Sequence, residues 1–289
     1  MLNVGSVFSG AGLCDLGIHW AGLQHQFFCE VDGFCQSVLR RHWPDVPLYA
    51  DIRDLSGHAL PHVDVLCGGF PCQDVSVAGK RKGITSTSRS GLWNEYKRII
   101  TEVRPRYIIA ENVSGLLSLG IEDVLQGLAE VGYDAEWEVL PAASLGAPHH
   151  RERVFIVAYP HGYRSDSGDR LLAPLERIVA DHKQYAGLFG WLGIRFDRAD
   201  KASALAGYGR PLVHRVDDGG ASRLDDALWA EPRRPHQFGR IDTSTAQSWI
   251  PRLKALGNGI TPQQSFAIAA CILIAEGYPV PDIKKVCEL

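Results

Sequence analysis

Short apolar runs alternate with amphipathic stretches along the first half of the chain. The apolar runs predict strands over 4–8, 26–29, 48–50, 63–67, 107–110, 135–140 and 153–158. Helical spacing of apolar residues predicts helices from Gly12 to about Gly22 and over 34–41, 93–103 and 121–131. Strands that alternate with helices favour an α/β fold, in which a doubly wound, mainly parallel sheet carries helices on both faces.

The pattern changes near Tyr159. Residues 161–249 are rich in Gly, Arg and Asp and contain few long periodic runs, which predicts a second, smaller domain. A helix is predicted again from Pro262 to Glu276, with an apolar side formed by Phe266, Ile268, Ala269, Ile272 and Leu273. Because this helix would be poorly buried alone, we divide the chain into a first domain (1–160), a second (161–249) and a segment (250–289) that completes the first.

Composition and charge exclude some classes of protein. The chain has 289 residues, of which 45% are hydrophobic and 22% charged, so it is not expected to be disordered. The longest apolar stretch, 265–275, is too short to span a bilayer, and the N-terminus lacks the pattern of a signal peptide. We therefore expect a cytoplasmic protein with no membrane partner.

The net charge of −3 does not by itself indicate a nucleic-acid binder. Basic residues are nevertheless concentrated locally, at Lys80-Arg81-Lys82, at 149–153 and at Arg233-Arg234. The seven cysteines are odd in number and include no CxxC pair, which argues against a disulfide framework and against a structural metal site.

Four residues whose side chains can bind a ligand or take part in catalysis follow the ends of predicted strands. They are Glu30, Asp51, Cys72 and Glu111. Ligands of doubly wound sheets bind outside the carboxyl ends of the strands. Together these residues therefore predict a functional site at one edge of the sheet.

The first strand leads into a glycine turn at Gly10 and Gly12. Glu30 follows Gly10 by 20 residues, the spacing at which an acidic side chain commonly binds a ribose hydroxyl. Asp15 stands where a dinucleotide-binding turn has its third glycine, which disfavours a pyrophosphate site. An adenosyl ligand without phosphates fits this pattern better.

Cys72 follows Pro71 on a stiff turn at a strand end, so its thiol is expected to be presented to a cleft. The polar residues Gln73 and Ser76 suit a cleft as well, although a single cysteine can also be an inert core residue. Burial would raise the pKa of Glu111 and suit it to act as an acid, while a helix cap is the alternative.

Arg151 and Arg153 alternate in an extended run, so their side chains are expected on one face, where both could reach one site. A salt-bridged surface strand is the alternative interpretation of the same run.

These segments, in this order, resemble the DNA (cytosine-5) methyltransferase family. The resemblance rests on VFSGAG, Glu30-Val31-Asp32, Asp51-Ile52, GGFPCQDVS, Glu111-Asn112-Val113, Arg151-Glu152-Arg153 and LGNGITPQ at 256–263. It covers about 4–158 and 250–276, and the ordered combination of PCQ, ENV and RxR is specific to the family.

The resemblance implies a Rossmann-like methyltransferase sheet, with S-adenosylmethionine as the methyl donor. Cys72 would be the nucleophile, Glu111 the acid and Arg153 a contact to the base, with Arg151 beside it. The cofactor pocket would be lined by Phe8, Gly10, Ala11, Gly12, Glu30, Val31, Asp51, Ile52, Pro71, Leu92 and Asn258.

The same resemblance implies double-stranded DNA as substrate, with the target cytosine flipped out of the duplex. Residues 161–249 would be the target-recognition domain. The expected DNA contacts are Gln73, Ser76, Lys80, Arg81, Lys82, Arg233 and Arg234. We further expect a monomer, with a cognate restriction endonuclease as a conceivable partner.

The chain departs from the family pattern at Leu13, where glycine is usual, and at His149, where glutamine is usual. Three alternatives remain at this point. They are an RNA-modifying member of the same family, a Rossmann-type dehydrogenase with Glu30 on the ribose, and a DNA-binding module without activity.

Overall fold

The computed structural model describes residues 1–71, 91–147, 149–163, 170–180, 254–255 and 259–282. The strands are β1 (Asn3–Val7), β2 (Gln24–Cys29), β3 (Leu48–Tyr49), β4 (Val65–Gly69), β5 (Tyr107–Val113), β6 (Tyr133–Pro141) and β7 (Glu152–Pro160). The helices are α1 (Leu13–Trp20), α2 (Gly33–His42), α3 (Gly91–Val103), α4 (Leu116–Leu119), α5 (Ile121–Glu130), α6 (Ala173–Ala180) and α7 (Pro262–Ala275). Short 3-10 helices cover Ile52–Asp54, Gly57–Ala59 and Ala142–Leu145.

The strands form one seven-stranded sheet in the order β3-β2-β1-β4-β5-β7-β6. The first five strands of the chain run parallel to one another, whereas β7 runs antiparallel to both β5 and β6. The predicted mainly parallel α/β sheet is therefore confirmed. Inserting β7 between β5 and β6 adds an antiparallel pair on each side, which the apolar pattern did not indicate.

Two apolar clusters cover the two faces of the sheet. One cluster contains the inward side chains of α1, α6 and α7, and the other contains those of α3 and α5. In α3 the buried residues Trp93, Tyr96, Ile99 and Ile100 recur at helical spacing, as the sequence predicted. The helices on each face of the sheet thus bury the apolar side chains that the strands present on that face.

Helix α7 differs from its prediction, which gave it a single apolar side. All residues from Pro262 to Leu273 are buried, polar ones included, because the helix packs against α1 and α6 as well as the sheet. Gly17 of α1 permits the close approach, since a β-carbon there would lie 1.9 Å from the Pro262 carbonyl oxygen. Helix α7 thus shares one buried core with α1, α6 and the sheet.

Residues 170–180 also pack on this sheet. Leu171, Leu172 and Leu175 belong to the same buried cluster as α7. The carboxylate of Glu136 in β6 accepts hydrogen bonds from the backbone N–H of Leu171 and of Leu172, at 2.8 and 3.0 Å. The start of the expected second domain (161–249) thus shares the core of the first, and residues 181–249 lie outside the described part.

The described part of the chain has no helix that is both long and apolar enough to cross a membrane.

Candidate active site

Five strands bring the candidate residues to one edge of the sheet. Val7, at the end of β1, pairs with Cys29 of β2 and with Gly68 of β4, and Gly69 pairs with Glu111 of β5. Because β7 is antiparallel, its first residues lie at the same edge as the last residues of β5. The sheet therefore gathers there the glycine turn, the segment after β2, the turn into Pro71, and the start of β7.

The turn after β1 has an unusual backbone. Phe8, Gly10 and Gly12 all have positive φ angles, of 54°, 56° and 81°. At Gly12, which caps α1, a β-carbon would lie 2.8 Å from the Trp43 ring, so α2 requires glycine there. At Gly10 no atom of the described residues lies within 4 Å of the β-carbon position beyond its chain neighbours, so this part of the structure leaves open space beside the backbone. A ligand can approach Gly10 closely.

Glu30 holds this turn from the neighbouring strand. Its carboxylate accepts hydrogen bonds from the backbone N–H of Gly10 and of Asp32, both at 2.7 Å. Burial raises the pKa of Glu30, although both hydrogen bonds act in the opposite direction. Each carboxylate oxygen can accept a further hydrogen bond, so Glu30 remains able to bind hydroxyl groups. Val31, beside it, is 70% exposed.

The other residues expected at the cofactor lie around the same edge but differ in exposure. Pro71 is exposed and Ile52 is buried, while Phe8 and Leu92 are half-buried. The side chains of two more of these residues contact other parts of the protein. Ala11 is buried against α2, and the Asp51 carboxylate forms an ion pair with Arg53 at 2.5 Å.

Glu111 lies inside β5 and not past its end, because pairing with β7 extends the strand to Val113. Gly69 is directly opposite, and a β-carbon there would lie 2.6 Å from Glu111 Oε2. Glycine at position 69, three residues before Cys72, therefore leaves room for the Glu111 carboxyl group.

Arg153 of β7 reaches Glu111 diagonally across the strand pair. Its Nε lies 2.9 Å from Glu111 Oε1, and the two side chains are only 11% and 13% exposed. Burial raises the pKa of Glu111 to about 7, and the positive charges of Arg153 and Arg151 limit that rise. Glu111 can consequently hold or release a proton near neutral pH, as a general acid requires.

Arg151 and Arg153 meet at one carbonyl group. Nε of Arg151 donates to the Gly259 carbonyl at 3.0 Å, and Nη2 of Arg153 donates to it at 3.3 Å; Nη2 of Arg151 is also bonded to it. The two side chains therefore reach one site, as predicted, although Arg151 precedes β7 and has a positive φ angle instead of the expected extended backbone. This geometry disfavours the alternative of a salt-bridged surface strand.

Three residues at this edge were not predicted as site residues. The buried Asn112 side chain donates to the Phe70 carbonyl at 3.0 Å and fixes the turn that leads to Cys72. Gly259 supplies the carbonyl shared by the arginines, and Gln264 donates to the Arg151 carbonyl. Asn112 and Gly259 belong to the motifs that carry the family resemblance, whereas the signal at Gln264 was Thr261-x-x-Gln264, a capping-box pattern that indicates a helix start and not a partner for Arg151.

Several predicted site residues lie outside the described part of the chain, and their roles stay predictions. They are Cys72, Gln73, Ser76, Lys80, Arg81, Lys82, Arg233, Arg234 and Asn258.

Comparison with a family model adds to this geometry. The model described as C-5 cytosine-specific DNA methylase matches residues 2–185, which include every described candidate residue named above from the sheet edge except Gly259 and Gln264.

Curated relatives agree with the family match. The chain is 34% identical over 207 residues to the type II methyltransferase M2.BsuMI of Bacillus subtilis, covering 67% of this chain and 52% of that relative. It is 36% identical over 165 residues to the type II methyltransferase M.FnuDI of Fusobacterium nucleatum, covering 56% of this chain and 46% of the relative. The chain thus spans about half the length of these relatives.

A solved structure supports the fold. The crystal structure of the S. pombe Dnmt2 methyltransferase superposes with a TM-score of 0.62, covering 95% of this chain and 98% of that one, at 15% sequence identity. At that identity the similarity bears on the fold alone.

Proposed function

The chain belongs to the C-5 cytosine-specific DNA methylase family, and from this premise we propose that it transfers a methyl group from S-adenosylmethionine to C5 of cytosine in double-stranded DNA. The observation that carries the proposal is the buried Glu111, whose pKa of about 7 and ion pair with Arg153 suit acid catalysis on a base.

The residues at the glycine turn fit S-adenosylmethionine. Open space at Gly10 admits an uncharged part of the cofactor, and the Glu30 carboxylate can accept ribose hydroxyls. The exposed apolar side chain of Val31 offers a surface for the adenine ring. No third glycine prepares the turn for a pyrophosphate, since position 15 is a buried aspartate. When bound, the cofactor supplies an electrophilic methyl group on a sulfonium.

Cys72 is proposed as the nucleophile, because C5 of cytosine is too weak a nucleophile to attack a methyl group unaided. Addition of the Cys72 thiolate to C6, with transfer of the Glu111 proton to N3, converts the ring into an enamine that is nucleophilic at C5. After methylation, a base removes the original C5 proton and the C6–S bond breaks, which returns the thiolate. The N3 proton goes back to Glu111.

Arg153 would bind O2 of the same base and stabilise the charge that develops during addition. Its ion pair with Glu111 keeps the guanidinium beside the proton donor, so both groups face one ring. The base cannot reach such a buried edge inside a duplex, and flipping is therefore part of the proposal.

DNA is preferred over RNA as the proposed substrate because the matching family model is described as a C-5 cytosine-specific DNA methylase. The curated relatives described above are named as type II methyltransferases. Orphan methyltransferases of Bacillus phages are among the relatives as well, at 34–35% identity. A restriction endonuclease partner is accordingly proposed only as one of two arrangements, and a solitary enzyme is the other.

The proposal is tested with purified protein and labelled S-adenosylmethionine. We expect methyl incorporation into duplex DNA by the wild-type chain and none by Cys72→Ala. Duplex DNA with 5-fluorocytosine at the target should trap a covalent complex, because fluorine cannot leave as a cation. Bisulfite sequencing of DNA from expressing cells would identify the methylated sequence.

A matched control is Cys35→Ala, which removes a buried thiol of α2 and should retain activity. Near-normal methylation by folded Cys72→Ala would refute the nucleophile. Methylation of normal cytosine without trapping of 5-fluorocytosine would refute the enamine route.

A further inference from the structure

The backbone of Arg151 is held in an unfavourable conformation at the candidate active site. Its φ angle is +32°, a region that residues other than glycine rarely adopt. Such a conformation is unfavourable and persists only where surrounding contacts fix it. The contacts that fix Arg151 are therefore part of the architecture of the site.

Contacts to the side chain and to the backbone of Arg151 come from the segment 259–264, which lies more than 100 residues further along the chain. The Gly259 carbonyl accepts from the Arg151 side chain, and the Gln264 side-chain amide donates to the Arg151 backbone carbonyl at 3.0 Å. Arg151 is consequently held at its side chain and at its backbone by one short segment.

Gln264 is fully buried, and both the nitrogen and the oxygen of its side-chain amide form hydrogen bonds. Its Nε2 group donates to the carbonyls of Leu140 and Arg151, at 2.6 and 3.0 Å. Its Oε1 atom accepts from the backbone N–H and the hydroxyl of Thr261, at 3.1 and 2.9 Å. Leu140, the next-to-last residue of β6, pairs with Arg153, so one amide joins the start of α7 to the strand opposite Arg153 and to the backbone of Arg151.

We infer that Gln264 is a positioning residue, which holds Arg151 and, through the shared Gly259 carbonyl, Arg153 against Glu111. The inference rests on the proposed function only in giving this pair a role in the reaction. Its geometric content, that loss of the Gln264 amide loosens the arginines around Glu111, is independent of any activity.

The test measures the titration of Glu111 by carbon-13 NMR of protein labelled at its glutamate carboxyls. Loss of one resonance in Glu111→Gln assigns the Glu111 signal. Arg153 and Arg151 lower the pKa of Glu111, whereas burial raises it. If the arginines move away in Gln264→Met, the midpoint of Glu111 should therefore rise, by on the order of one unit.

Ser265→Ala is the matched control. Ser265 is the next residue of α7, and its buried hydroxyl donates to the carbonyls of Cys14 and Pro262 instead. Both variants lose buried hydrogen bonds and should melt at a lower temperature than wild type. Only Gln264→Met should shift the Glu111 midpoint, which separates positioning from a general loss of stability.

An unchanged Glu111 midpoint in folded Gln264→Met overturns the inference, as does an equal shift in Ser265→Ala. If Gln264→Met does not fold, Gln264→Asn is measured in its place, because its shorter amide keeps polarity but cannot span both carbonyls. A wild-type chain that transfers no methyl group would refute the proposed function and leave this titration result standing.

Discussion

At the scale of single residues, the chemistry of this chain depends on how two buried carboxylates are surrounded. Glu30 is bonded to two backbone N–H groups, and Glu111 faces two guanidinium groups. Burial raises the pKa of both side chains, but only Glu111 is moved to about 7. In the proposed function, the same residue type would therefore serve as a hydrogen-bond acceptor at one end of the site and as an acid at the other.

The pH dependence of methyl transfer follows from the Glu111 pKa. An acid must be protonated to act, and the fraction of protonated Glu111 falls as the pH rises through about 7. We expect the single-turnover rate to decline on this alkaline side. Glu111→Gln should lower the rate by about 10²–10⁴-fold and remove that decline.

Glu138→Gln is the control for this experiment, since Glu138 is an exposed carboxylate on the neighbouring β6 strand. It should leave the pH profile unchanged. A profile that keeps its alkaline decline in Glu111→Gln would mean that another group titrates.

Glu30 provides a second prediction, for cofactor binding. Glu30→Ala removes the acceptor for the ribose hydroxyls and also the carboxylate that holds the Gly10 N–H. A hydrogen bond to a charged group contributes roughly 1.5–3 kcal/mol, so affinity for S-adenosylmethionine should fall about tenfold to a hundredfold. Calorimetric titration measures it, with Glu30→Gln expected to lose less. A dissociation constant equal to that of wild type would remove Glu30 from the pocket.

The sequence predicted these residues and their edge of the sheet because each follows an apolar run and each has a chemically distinctive side chain. It did not predict the roles of Gly259 and Gln264. Their contacts to Arg151 are made by a backbone carbonyl and an amide across more than 100 residues. Neither the period of apolar residues nor a local motif encodes such a contact.

At the scale of elements, the strands and helices begin and end close to their predicted positions. Strand β4 lies two residues later than predicted, and β5, β6 and β7 extend beyond their apolar runs. The reason is that strand pairing, and not the apolar pattern, determines where these strands end. Pairing with antiparallel β7 carries β5 through the polar residues Glu111 and Asn112.

The contact between the glycine turn and the C-terminal segment gives a prediction at this scale. A β-carbon at position 259 would lie only 2.2 Å from Cδ1 of Leu13, a residue at which the chain departs from the family pattern. Gly259→Ala should therefore displace the carbonyl that both arginines share, and reduce methyl transfer as well as stability. Overpacking of this kind costs about 1–3 kcal/mol.

The double variant Leu13→Ala, Gly259→Ala removes the clash and should restore much of the melting temperature and activity lost in Gly259→Ala. Leu13→Ala alone controls for the lost side chain, since Leu13 is itself buried. If the losses of stability and activity in the two single variants simply add in the double variant, the two positions are not energetically coupled.

At the scale of the whole molecule, segments distant in sequence combine into one catalytic unit. Helix α7 is buried between α1 and α6 although some 80 residues separate it from α6. The sequence predicted that α7 returns to the first domain, because an apolar helix needs a partner. It did not predict that 170–180 does so, since Leu171, Leu172 and Leu175 stand among polar residues without a long periodic run.

This packing changes how the proposed recognition segment is best exchanged. Residues 161–249 were expected to determine which DNA sequence is methylated, but the leucines at 171, 172 and 175 fill the core beside α7. We expect a chimera that takes 181–249 from a relative of different specificity to fold and to methylate the relative's sequence. Bisulfite sequencing of DNA from expressing cells identifies that sequence.

A chimera that takes 161–249 should carry the same new specificity with lower stability. This chimera replaces the three leucines by residues that evolved to pack against another core. It also replaces the backbone segment whose N–H groups donate hydrogen bonds to Glu136. A mispacked core costs about 1–3 kcal/mol, and each kcal/mol shifts the melting temperature by roughly 2–4 °C in a chain of this size. Equal melting temperatures would mean that 170–180 does not belong to the catalytic unit, and an active 181–249 chimera with the original target would mean that recognition lies elsewhere.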